Sequence, residues 1–311
     1  MTTQAQAIGS GPAAGRGARW LRGPEAFSLL LLAPAVVTMA VVVLYPIAAA
    51  LNMSFHRVDI YTPGARQGPF TLANYAMLLR SPAFAQSVWI STEYVAASTA
   101  CALVIGFGTA LLLNQTFRGR AVARMLAVLP WAVPSVVAAN IWWWILDPTY
   151  GLLNWVLLRL GVVAQPVNWL TSPGPALASV SIATIWKGYP FFTVMVLAGL
   201  QAIPRDLYDA AAVDGGGAVA VFRSITLPGV QNIVALATLL TVLWVFREFT
   251  YIWVLTGGGP VRATETLAVM TYREAFSFFH MGFAAAVGVV TLLISTAASI
   301  LFIRQSGHEF Y

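Results

Sequence analysis

The sequence predicts an all-α integral membrane protein. Of its 311 residues, 59% are hydrophobic and only 9% charged, and the apolar residues gather in runs long enough to cross a bilayer. An ordinary soluble domain carries roughly 25% charged residues, so water is not the main solvent of this chain. A hydrocarbon core about 30 Å thick needs roughly 20 residues of helix. Lipid leaves backbone polar groups to be satisfied within the segment, which restricts spans to helices or closed barrels. Continuous apolar runs, rather than short alternating ones, select helices.

Six spans are expected, at 27–51, 88–113, 121–146, 176–200, 233–255 and 283–303. The first exceeds the 7 to 15 residues of a signal h-region and reads as an uncleaved span. Before it, residues 1–23 read as a disordered cytoplasmic tail, leaving 24–311 as one transmembrane domain.

The net charge of +6 comes from arginines and one lysine, Lys187, mostly in the connections between apolar runs. Without a basic face on a folded domain, nucleic acid is not an expected partner. Six spans put both termini on one side. The loops there hold Arg16, Arg19, Arg22, Arg118, Arg120, Arg124, Arg205, Arg223 and Arg304, against Arg57, Arg66, Arg80, Arg159, Arg262 and Arg273 opposite. The bias places both termini in the cytoplasm.

Cys101 stands alone, so no internal disulfide forms, and His56, His280 and His308 lack ligand spacing; no metal site is expected. In the loop after the third span, Leu152, Leu153, Trp155, Val156 and Leu160 form an apolar face at helical spacing that suits the membrane surface. Trp142, Trp143 and Trp144 suit an interfacial aromatic belt.

Between the fourth and fifth spans, residues 203–228 read as two short helices on a cytoplasmic corner. Pro204 suits a first helical turn, and Asp206 and Asp209 favour its positive end. Gly215, Gly216 and Gly217 stop that helix, and a second, 218–227, is expected to end at Pro228. Small side chains beside an acid allow another protein's groove to approach and pair.

This stretch resembles the coupling motif of binding-protein-dependent importer permeases: Asp209-Ala210-Ala211, Gly215 and, after nine intervening residues, Ile225-Thr226-Leu227-Pro228. Asp209 stands where Glu is usual, and Gly216 where Ala is commoner. Leu129-Pro130-Trp131, Ile185-Trp186-Lys187 and the turn Thr256-Gly257-Gly258-Gly259-Pro260 are similar to the carbohydrate branch, and the turn to the first of two unlike permease subunits in maltose-type systems. The resemblance implies the type I ABC importer permease fold, in a bacterial cytoplasmic membrane. It also implies a second permease, two ATP-binding subunits and an extracytoplasmic solute-binding (lipo)protein, with docking at Asp209, Ala210, Ala211, Gly215, Gly216, Leu227 and Pro228. The solute implied is a sugar, a di- or oligosaccharide such as trehalose or maltose.

No phosphate-binding loop is present, since Lys187 lies between Trp186 and Gly188. ATP and Mg are therefore expected on partner subunits, with no cofactor and no catalytic residue in this chain.

Ionisable groups inside spans are costly and mark functional positions. They are Glu93, Lys187, Arg247 and Glu248, and Lys187 with Glu248 could pair between adjacent spans. Pro190 is expected to break the fourth span and open its carbonyls to a cavity. By resemblance to maltose-type permeases, the sugar pathway is lined by Trp186, Lys187, Gly188 and Phe191, and by Thr241, Trp244, Val245 and Glu248. The rival readings are an importer of polyol phosphates or another solute, a stand-alone secondary transporter, and a channel. No second copy of the fourth-span pattern and no filter sequence favours either of the last two.

Overall fold

The computed structural model describes residues 24–58 and 68–306, and among them every regular element is a helix. The expected tail 1–23, Arg66 and His308 lie outside the described residues. The chain falls into two units, Met1–Asn52 and Met53–Tyr311. Five helices are long and apolar enough to cross a membrane, or six if one bent pair counts as a single span.

The first unit holds most of α1 (Leu31–Ser54), with a mean hydropathy of 2.3. A π turn at Ala40–Leu44 precedes Pro46, with Tyr45 N–H donating to Ala40. Proline has no N–H to give, and a one-residue shift of the hydrogen-bond ladder lets the helix pass it without ending.

The second unit begins with α2 (Ala73–Arg80) and α3 (Pro82–Asn114). Where the third span is expected stand two helices, α4 (Arg120–Ala132) and α5 (Ser135–Ile145), and a short α6 (Leu152–Arg159) follows. Then come α7 (Pro173–Ala202), α8 (Arg205–Val213), α9 (Ala218–Phe246) and α10 (Thr250–Thr256). The last two are α11 (Leu267–Tyr272) and α12 (Met281–Ser306).

The bundle is built around α3 and α7. A Cβ at Gly106 of α3 would lie 2.5 Å from Phe192 Cβ and 2.6 Å from the Tyr189 carbonyl of α7, so only glycine allows this approach. Backbones brought that close gain dispersion contacts, the main source of helix association in lipid. Tyr94 Oη and Thr184 Oγ1, 2.6 Å apart and buried, join the same two helices. At one end Arg120 Nε donates to the Leu113 carbonyl at 2.8 Å, closing the last turn of α3. At the other, the Leu267 N–H opening α11 donates to Ser91 Oγ of α3 at 2.9 Å.

Large apolar side chains stay exposed along the bundle, among them Leu112, Val104 and Leu293. That is the arrangement a lipid solvent allows.

Two loops on the side opposite α8 are tied by polar groups. Asn154 is buried and bridges Pro148, Val167 and Trp169, which sets α6 with Trp155 and Leu158 outward; the Arg159 guanidinium lies over the Trp155 ring. Of the expected belt, Trp143 and Trp144 are exposed, while Trp142 turns inward onto Trp186. After α10, Glu265 is 1% exposed and paired with Arg273 at 3.0 Å and Arg262 at 3.4 Å. Burial pushes its carboxyl above the usual range, against the pull of Arg273 and then Arg262.

Candidate functional site

The third span turns through 97° between α4 and α5. Pro134 disfavours the helical region for the residue before it, and Val133 is extended at ψ 130°. The corner frees main-chain carbonyls on the side that faces α7. Lys187 takes them: its ammonium donates to the carbonyls of Trp131 at 2.8 Å and Pro130 at 3.3 Å, and to that of Val133. A cation at a helix carboxy end also meets the negative pole of the dipole.

Lys187 sits near the middle of α7, about 21 Å along the axis from Pro173. This helix continues through Pro190, which is buried, so the expected break there does not exist. In lipid, one missing hydrogen bond is less costly than a whole broken turn.

A break lies instead within the expected range of the fifth span, at Arg247–Phe249, after the unbroken α9 and before α10. Here Glu248 Oε1 accepts the Tyr251 N–H at 3.1 Å and caps the start of α10, while Arg247 Nε donates to the Leu243 carbonyl at 3.3 Å at the end of α9. The expected Lys187–Glu248 ion pair is therefore not formed. Each of the three charges serves a helix end of the opposite polarity. Glu93 is exposed on α3 and makes no ion pair with any described residue.

A row of rings runs beside these breaks. Phe191 meets Trp244 with centroids 4.8 Å apart and Trp131 at 6.1 Å. Trp131 and Trp244 remain 48% and 46% exposed in the single chain. The other residues expected to line the pathway do not join the row. Trp186 packs edge-on to Trp142 at 6.0 Å in the core, Thr241 is buried with its hydroxyl donating to Ala237, and Val245 is buried. Gly188 is half-buried, with Ala102 Cβ 3.9 Å from where its own Cβ would stand. Trp131 was legible only as part of a motif; its sequence signal as a site residue is its place two residues before the Val133-Pro134 corner.

At one end of the bundle, α8 follows Pro204, with Asp206 in its first turn. Gly215 has φ +73°, and the Gly216 N–H donates to the Ala211 carbonyl at 2.8 Å. A Cβ at Gly216 would stand 2.9 Å from that carbonyl oxygen, so the turn needs a glycine there. Asp209 and Ala210 are exposed, and Val213 and Val219 flank the turn at 88% and 67% exposure. Tyr208 Oη and Thr226 Oγ1, 3.3 Å apart, tie α8 to α9.

The second short helix does not end at Pro228. A π turn at Phe222–Thr226, with Leu227 N–H donating to Phe222, carries the chain past Pro228 into the fifth span. The device is the same as at Pro46.

Comparison with known proteins accords with this architecture. The trehalose/maltose transport system permease protein MalF of Thermococcus litoralis is 35% identical over 279 residues, 88% of this chain and 92% of the relative. The sulfoquinovosyl glycerol transport system permease protein SmoG of Agrobacterium fabrum is 34% identical, with 93% of each chain covered. A bacterial ABC transporter involved in the import of the acidic polysaccharide alginate shares the fold with a TM-score of 0.80, at 20% identity, over 92% of this chain and 97% of that one. Residues 102–304 match the family described as binding-protein-dependent transport system inner membrane component. The chain belongs to that family of ABC importer permeases.

Proposed function

We propose that this permease moves a carbohydrate, a di- or oligosaccharide such as trehalose or maltose, along the Trp131–Phe191–Trp244 row. The observation that carries the reading is the row itself: three rings in sequence, two of them half-exposed, beside the bent α4–α5 pair and the end of α9. Rings offer flat apolar faces to the C–H surfaces of a sugar. Half-helix ends inside a bundle are where transporters hold polar solutes. The names of the relatives support a sugar.

Both termini and α8 lie in the cytoplasm, by the arginine bias. The corner at Asp209, Ala210, Ala211 and Gly215 docks an ATPase, whose hydrolysis of Mg-bound ATP drives alternating access. A second permease completes the passage, and an extracytoplasmic binding protein delivers the solute.

The alternative is a polyol phosphate or another solute, which a net positive cavity would favour; Lys187 and Arg247 keep their charge while bonded to main-chain carbonyls.

The test is uptake of labelled trehalose, maltose and a panel of neutral and anionic glycosides into proteoliposomes holding the complete importer, with and without ATP. Trp244→Ala is expected to raise the half-saturating concentration. Wild-type uptake by that variant would remove the row from the pathway.

A further inference from the structure

We propose that Lys187 is a positioning residue for the passage, and that the carbonyls it fills form a binding site for a primary ammonium group. The site is built from one element and occupied from another: the carbonyls of Pro130, Trp131 and Val133 belong to the corner of the third span, the ammonium to the fourth. Three acceptors converge on one nitrogen, which matches the three N–H donors of an ammonium. The Trp131 carbonyl in this nest belongs to the residue whose ring packs on Phe191, so the clamp sets where the row of rings begins. Lys187 thus acts on the solute through Trp131. It does not have to touch it.

No other described cation reaches these carbonyls, and carbonyls left unpaired within a membrane are costly. Removing the lysine side chain should let the corner relax and carry Trp131 away from Phe191. An amine of the right length should reverse this, because the side of the nest at the Trp131 carbonyl is open.

The inference rests on the row being the solute passage, and one experiment separates the two ideas. Lys187→Ala and Lys187→Met are assayed in the complete importer in proteoliposomes, beside Trp244→Ala. Lys187→Ala is expected to raise the half-saturating solute concentration by about tenfold, comparable to losing a charge-assisted hydrogen bond, with a smaller change in maximal rate. Propylammonium, which supplies the deleted atoms, is expected to restore it. Tetrapropylammonium, which has no N–H, should not. Lys187→Met keeps the length but not the donors and should behave as Lys187→Ala without amine.

Wild-type behaviour of Lys187→Met, or a defect in Lys187→Ala that propylammonium does not repair, overturns the clamp and leaves the passage standing. A wild-type Trp244→Ala with an amine-rescued Lys187→Ala overturns the passage and leaves the clamp. Should Lys187→Ala fail to assemble, the yield of complex prepared with propylammonium throughout reads the same claim: recovery supports the site, and no recovery overturns it.

Discussion

Phe191 and Trp244 meet with ring centroids 4.8 Å apart and planes at 63°, although one belongs to α7 and the other to α9. Directly beside Phe191, Phe192 is fully buried, its ring edge-on to that of Phe191 at 6.2 Å. The two neighbours are expected to serve different ends. Phe191→Ala should raise the half-saturating solute concentration by about tenfold, the order of one aromatic contact, while the complex melts near the wild-type temperature. Phe192→Ala should do the reverse, costing about 3 kcal/mol of stability through the cavity it leaves. Uptake and thermal melting of both variants decide between the two assignments.

Exchanging Lys187 and Glu248 should be worse than changing either alone. In the exchanged protein a carboxylate would face the carbonyls of Trp131 and Pro130, and an ammonium would face the Tyr251 N–H. Each helix end would then meet a charge of its own sign. Yield of assembled complex after solubilisation measures this. Recovery in the exchanged protein would reinstate a direct ion pair.

Gly106→Ala should lower the yield of folded permease sharply, since the new methyl would overlap α7 at Phe192 and Tyr189. Two turns of helix are not needed for a control: Gly108 has open space around its Cβ position, and Gly108→Ala should be neutral or stabilise by about 1 kcal/mol through helix propensity. Similar yields for both would mean that α3 and α7 are not held at this contact.

At the exposed corner, Gly215 has open space but a positive φ. Asparagine tolerates that conformation better than other side chains, so Gly215→Asn should keep solute-stimulated ATP hydrolysis. Gly215→Trp should abolish it while the permease stays inserted, because the indole would occupy the space a partner needs. Normal stimulation in Gly215→Trp would reduce the corner to a linker.

The spans were legible because length and apolarity are properties of a stretch, and a bilayer reads little else. The breaks were not. Pro190 and Pro134 look alike in sequence, yet the helix passes the first and turns at the second. What separates them is the partner available to the freed carbonyls, and Lys187, more than fifty positions away from the corner, supplies it only in the folded chain. Arg247 and Glu248, adjacent opposite charges in an apolar run, stand at a helix end and the following helix start, where each bonds the main chain. Pro228 does not end its helix for a related reason. Its missing N–H is absorbed by a one-residue shift in the ladder at Phe222–Thr226, and composition does not register such a shift.

That shift also means that α9 is one rod from the glycine turn to Trp244. At 29 residues it measures about 43 Å. A rod of that length pivoting about its middle by about 5° displaces each end by about 2 Å. A small tilt imposed beside Val219 therefore reaches Trp244 as a sideways step large enough to part it from Phe191, with no change in the shape of the helix between them.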